Sequence, residues 1–193
     1  EILGETVNRI FLNHCTKDLL EDADAGEWPE ELWRTVVENG LTQVLLPGEE
    51  GGADAGWQAA YVILHAAGHF AAPIPLAETL LAGWLLDRAG LPVPDGIMSI
   101  VPEADGVLLS PSGEISGEAG NVPWAARADY LVGVARRDGG LAVYCAPASV
   151  LSVEPDHNIA REPRDRVQFS GMAEAAVAPA DFTGDTLRLY GAM

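Results

Sequence analysis

His65 and His69 stand four residues apart in a segment of helical character, the spacing at which two imidazoles on one helix face can share a metal ion. The glutamate that turns such a pair into a zinc-protease motif is missing and no third ligand is evident, so core or interface histidines are expected. Asp22-Ala-Asp24-Ala-Gly26-Glu27 begins like a calcium loop, but Trp33 fills the position where a bidentate glutamate is needed. That segment reads as a solvated acidic turn, and no residue is assigned to a metal. Gly48-Glu-Glu-Gly-Gly52 lacks the Lys-Ser/Thr ending of a phosphate cradle, and its carboxylates would repel phosphate, so it reads as a turn. Cys15 and Cys145 have no cationic or helix-N-terminal setting, and Gly-x-Ser-x-Gly is absent, which leaves no nucleophile to name. Arg161-Glu-Pro-Arg164-Asp-Arg166 is the one basic concentration and could meet a phosphate, although its alternating charges favour a solvated loop with internal ion pairs.

The elements that would position such groups fall into two kinds. Leu3, Val7, Ile10, Phe11 and His14 recur at helical spacing. After an acidic break from Glu21 to Glu27, Pro29 suits the first turn of a helix whose stripe is Leu32, Trp33, Val36 and Val37, with Gly40 closing it. A third helix is predicted over Ala55 to Phe70. A fourth covers Leu76 to Ala89, with Leu80, Leu81, Trp84 and Leu85 inward, and stops at Gly90. From Ile97 the period changes to short strands: Val107–Ser110, Leu131–Ala135, Leu141–Cys145, Val150–Val153, Val167–Phe169 and Glu174–Val177. Ser110-Pro-Ser-Gly113 and Arg137-Asp-Gly-Gly140 are hairpin turns, since proline presets φ and glycine accepts positive φ. Glu114 to Ala135 reads as strand, glycine turn at Gly117, loop ending in Val122-Pro-Trp-Ala125, and a strand opening with Ala128-Asp129. The predicted class is α+β: an all-α helical domain over 1–95, then an antiparallel β-barrel or sandwich over 96–180.

Composition narrows the partners. The 193 residues carry a formal charge of −18, which disfavours nucleic acid and anionic membrane surfaces. No apolar run approaches the ~18 residues of a membrane span. With no secretory signal at Glu1-Ile-Leu-Gly4, the two cysteines read as buried thiols in a reducing, cytoplasmic compartment.

Both halves carry motifs of one known family. Leu32-Trp33, Glu38-Asn-Gly-Leu41, Leu46-Pro47 and Gly51-Gly52 are similar to the "lW..l.e.Gl..l..Pe..GG" pattern of acyl-CoA dehydrogenases. The Ser116-Gly117 to Ala128-Asp129 segment resembles that family's "xxGxKxWIT…AD" stretch, whose loop lies against the flavin ring. The resemblance implies FAD as cofactor and α,β-dehydrogenation of an acyl-CoA thioester. A carboxylate base removes the α-proton, and the β-hydride passes to the flavin. It places Asn121, Val122, Pro123 and Trp124 as cofactor-binding residues.

The base in this family comes from a C-terminal helical bundle, so no catalytic residue is assigned. Residues 181–193 would be the start of that bundle, and the absent initiator Met fits a fragment of a longer chain. Such a fragment is expected to expose apolar surface and to associate.

The departures matter as much as the matches. Where the family has "TEPxxGSD" the chain has Ser99-Ile-Val-Pro102-Glu-Ala-Asp105-Gly106, matching only at the proline. Asn121 stands at the stacking tryptophan and Pro123 at the flavin-bonding threonine, with Trp124 one position on. Alongside a homo-oligomeric dehydrogenase, these changes imply two alternatives. One is a flavin-poor partner subunit of a related chain. The other is a flavin-dependent oxidase or monooxygenase on the same fold.

Overall fold

The computed structural model describes residues 2–48, 55–102 and 106–180, and the chain divides after Leu80 into two compact units. In the first unit α1 (Ile2–His14) packs against α3 (Glu30–Glu38) and α4 (Gly56–His69). Val7 and Phe11 from α1, Leu32 and Val36 from α3, and Ala60 and Ile63 from α4 are fully buried. Phe11 stacks on Phe70 with ring centroids 6.4 Å apart. The expected stripe loses Val37, which is 46% exposed, because a helix of nine residues turns only one narrow face to its neighbours.

The acidic stretch is not simply a break. α2 (Lys17–Asp24) forms there, capped by the Thr16 hydroxyl accepting from Leu19 N at 3.2 Å and braced by Lys17–Glu21 at 3.2 Å. It buries no side chain, which is why apolar periodicity misses it. Gly40 and Gly90 take positive φ just past α3 and α5 (Leu76–Arg88), as helix-ending residues do.

The second unit holds two four-stranded sheets. The first is ordered β1 (Met98–Ile100), β4 (Tyr130–Arg137), β5 (Gly140–Pro147), β8 (Glu174–Val177). The second is ordered β2 (Val107–Leu109), β3 (Glu114–Val122), β7 (Asp165–Met172), β6 (Leu151–Glu154). All pairs are antiparallel except β1–β4, which run parallel with Met98 opposite Tyr130, so the sandwich is mixed rather than wholly antiparallel.

Ile115, Leu131, Tyr144, Val167 and Phe169 fill the space between the sheets. The other face of the first sheet, with Ile100, Val132, Val134, Val143 and Cys145, is covered by Ala82, Leu85 and Leu86 of α5. Two buried faces explain why β4 and β5 are apolar runs, whereas β7 alternates.

Gly117 is not a turn. It lies within β3 at φ +106°, and a Cβ there would come 2.0 Å from Gly106 O, so its task is close approach between two strands.

Candidate flavin-loop site

The segment of interest leaves the second sheet through a bulge. β3 pairs with β7 as far as Ala119 opposite Val167, and pairing resumes at Val122 opposite Asp165. Three steps along β3 thus face two along β7, and the extra residue is absorbed at Gly120-Asn121. Asn121 takes φ +55°, a left-handed conformation that asparagine tolerates better than most residues. Its side chain is exposed, and no hydrogen bond of its amide is found among the described residues. Val122 is fully buried and roots the strand end in the sandwich.

Pro123 and Trp124 are half-buried, and Trp124 also lies at positive φ, +54°. Such a conformation costs a bulky residue about 1–3 kcal/mol and persists only where its surroundings fix it. The turn closes through Arg127 N and Ala128 N donating to Trp124 O at 2.9 and 3.0 Å.

Three polar side chains hold this connection. Ser99, fully buried on β1, donates its hydroxyl to Pro123 O at 2.5 Å. Asp165, 1% exposed at the start of β7, accepts from Ala126 N at 2.8 Å and from Asp156 N at 3.1 Å. Asp129, the second residue of the Ala-Asp pair, accepts from Ile97 N at 2.8 Å while its own N–H donates to Ile97 O at 2.8 Å. The Ala-Asp signature is therefore a structural lock that starts the parallel β1–β4 pair. Asp129 O also accepts from Ala148 N at 2.8 Å, in the short 3-10 turn after β5.

The donor set fits a flat polar ring at two of the four predicted residues. Asn121 offers an exposed amide, and Trp124 offers part of an aromatic surface. Pro123 fits less well, having no N–H and a carbonyl already engaged by Ser99. Val122 serves the core. Gly120 also forms part of the wall of an open groove of about 560 Å3, shared with Ser152, Glu154, Arg166 and Gln168.

The other candidates separate from this site. His65 and His69 are exposed, His65 beside Tyr61 (5.8 Å between ring centroids) and His69 edge-on to Phe70 (4.9 Å), so neither is a core histidine. No cluster of three or more metal-ligating side chains occurs among the described residues. The basic loop carries the expected ion pair, Arg164 to Glu162 at 3.0 Å. Asp165 in that cluster is not a solvated charge: it shares inward parity with Val167 and Phe169 along β7, a signal present in the sequence.

Burial raises the Cys15 thiol to about 11, and burial with the Glu174 charge raises Cys145 to about 12, so both are poor nucleophiles. Residues 49–54, 103–105 and 181–193, with most of the Gly-Gly turn, part of the "TEPxxGSD" counterpart and the expected bundle start, lie outside the described residues.

Residues 1–92 match the profile of the acyl-CoA dehydrogenase N-terminal domain. Over that stretch, just under half of the chain, the sequence matches the acyl-CoA dehydrogenase family. Among solved structures, the Tcur3481-Tcur3483 steroid ACAD G363A variant aligns at TM-score 0.82 and 28% identity over 92% of this chain and 56% of its own. The ChsE4-ChsE5 complex from Mycobacterium tuberculosis aligns at TM-score 0.82 and 22% identity, over 98% of this chain and 58% of its own. TdsC from Paenibacillus sp. A11-2, solved with FMN and indole, aligns at TM-score 0.69 and 18% identity, over 93% and 54%. The chain thus spans just over half the length of these relatives. A search of the curated proteins gives no match. The α+β order of a helical domain followed by a β-sandwich is the arrangement shared with the acyl-CoA dehydrogenases. No helix among the described residues is long and apolar enough to cross a membrane.

Proposed function

We propose that this chain supplies the helical and β portions of a flavoprotein subunit that removes two hydrogens across the α and β carbons of an acyl-CoA thioester. FAD is the proposed cofactor, and the chemistry it supplies is acceptance of the β-hydride. Residues 1–95 and 96–180 are read as the two domains, with 181–193 leading towards a helical bundle that carries the base.

Within this chain the work is binding and orientation. Asn121 would offer its amide to the flavin and Trp124 its aromatic face, with Val122 anchoring them to the sandwich. The observation that carries the reading is the bulge and loop from Asn121 to Trp124. It has two left-handed non-glycine residues and buried polar supports, and its resemblance in sequence to the family's flavin loop supports the reading. The subunit is proposed to act in the cytoplasm, in lipid metabolism and in an oligomer. The test is the absorbance from about 350 to 500 nm of the full-length natural protein purified without added cofactor, followed by bleaching of that band with acyl-CoA thioesters.

A second reading is favoured by Pro123, which cannot donate where the family has a threonine. Here the chain is a partner subunit that completes a site on a related chain, and two similar structures bear paired names. This reading expects a colourless protein alone and flavin recovered on co-expression with the related chain. A flavin-dependent oxidase or monooxygenase would instead consume oxygen; the monooxygenase would do so without any acyl-CoA.

A further inference from the structure

A carboxyl group that is 1% exposed and sits at an inward position of a sandwich strand needs a reason to be there. An apolar residue of similar size at position 165 would join Val167 and Phe169 in the core without desolvating any charge. Asp165 instead spends both oxygens on backbone N–H groups from two separate segments, Ala126 in the loop after β3 and Asp156 in the loop before β7. Its own backbone faces Val122, the residue at which β3 and β7 come back into register after the bulge.

Ser99 acts from the opposite side of the turn. Rooted in β1, it donates to Pro123 O. The two supports therefore hold the peptide groups that bracket Trp124 and Ala125, one at the Pro123 carbonyl and one at the Ala126 amide. Pegging both sides leaves the backbone at Trp124 little choice but its left-handed conformation, +54°.

We infer that Asp165, assisted by Ser99, is a positioning residue: it fixes the shape of the Asn121–Trp124 loop and so sets how that loop meets the flavin. The role rests on the reading of this loop as a flavin contact. Asp165 does not touch the cofactor and takes no part in the chemistry; it acts through the loop backbone.

The experiment uses the full-length protein together with its natural partner chain, comparing wild type with Asp165→Asn and Ser99→Ala. In Asp165→Asn one of the two N–H groups must face an amide NH2, so one support is lost at constant side-chain size. The expected result is flavin dissociation at least about tenfold faster, equivalent to about 1.4 kcal/mol. It comes with shifted flavin absorption bands, and amide exchange accelerates at Ala126 and Asp156 while the β4–β5 ladder exchanges as in wild type. If Asp165→Asn fails to fold, Ser99→Ala carries the same expectation from the other peg, with exchange accelerated around Trp124.

Unchanged flavin release and spectrum in a variant whose loop amides exchange faster would overturn the positioning role and leave the proposed function standing. Unchanged exchange at those amides would overturn it as well. A wild-type complex that holds no flavin would overturn both the role and the flavin reading on which it rests.

Discussion

Replacing Tyr144 with phenylalanine should make the protein more stable. The side chain is completely buried between the two sheets, its ring meets Phe169 edge-on at 6.1 Å, and its hydroxyl is the one buried side-chain polar atom without a hydrogen-bond partner among the described residues. Burying a hydroxyl unpaired costs about 1–3 kcal/mol. Phenylalanine removes that penalty and keeps the ring contact. It gives up only the packing of one oxygen against Gly133, the residue directly across the β4–β5 ladder. Subtracting a few tenths of a kcal/mol for those contacts leaves a net gain of about 1 kcal/mol, or a rise in Tm of about 2–4 °C for a chain of this size.

Scanning calorimetry at pH 7 and urea titration, both on the purified protein, should agree in sign. A fall in Tm of similar size would refute the reasoning, because it would mean the hydroxyl is well paired in solution. An alkaline series adds an independent check. Burial pushes the phenol far above its ordinary range, so the folded state retains the proton. The resulting stability is fully present below about pH 10 and is lost at about 1.4 kcal/mol per pH unit above it, a slope that Tyr144→Phe should remove.

Gly133→Ala attacks the same contact from the other side. A Cβ at Gly133 would stand 2.6 Å from the Tyr144 hydroxyl and 2.7 Å from its Cζ, so a loss of about 1–3 kcal/mol is expected in urea unfolding. A midpoint equal to wild type would show that the ring can move aside. Cys145 extends the alkaline argument: its thiol is raised from 9.0 to about 12, so stability falls as pH rises from 9 towards 12, and Cys145→Ala should flatten part of that decline in midpoints measured at pH 8 and pH 11. The same shift makes Cys145 slow towards thiol reagents in the native protein at pH 8, with reaction expected only on unfolding.

The helices were legible because each buries one face, and an apolar face leaves a period in the sequence. Val7, Ile10 and Phe11 announce α1 in this way, and Leu32, Trp33 and Val36 announce α3. α2 has no such face and is held by a cap and an ion pair, which leave no period. Trp57 and Tyr61 mark the length of α4 yet are 40% and 67% exposed, since an aromatic residue does not say which way it points.

Strand existence was readable from turn chemistry, as the β4–β5 hairpin around Asp138 and Gly139 shows. The parallel pairing of β1 with β4 was not, because nothing local encodes which distant strand becomes a neighbour. The loop itself was found by resemblance, but its supports were not. In sequence Ser99 belongs to a stretch that departs from the flavin-binding pattern, and Asp165 is one charge among several. Both are functional only through what the fold brings against them.

The parallel pairing of β1 and β4 also bears on when the site comes into being. Met98 and Tyr130 are joined by about thirty residues of intervening chain, and β3 pairs with β7 across more than forty, whereas β2 with β3 and β4 with β5 are linked by tight turns. Loop closure of that length is entropically slower to recover than hairpin formation. β1 and β7 should therefore gain protection after the two hairpins in pulse-labelled exchange during refolding, and they bring Ser99 and Asp165 with them. A nascent sandwich would then possess its hairpins before it possesses a shaped loop, and competence to receive a ligand would arrive as the closing event of its assembly.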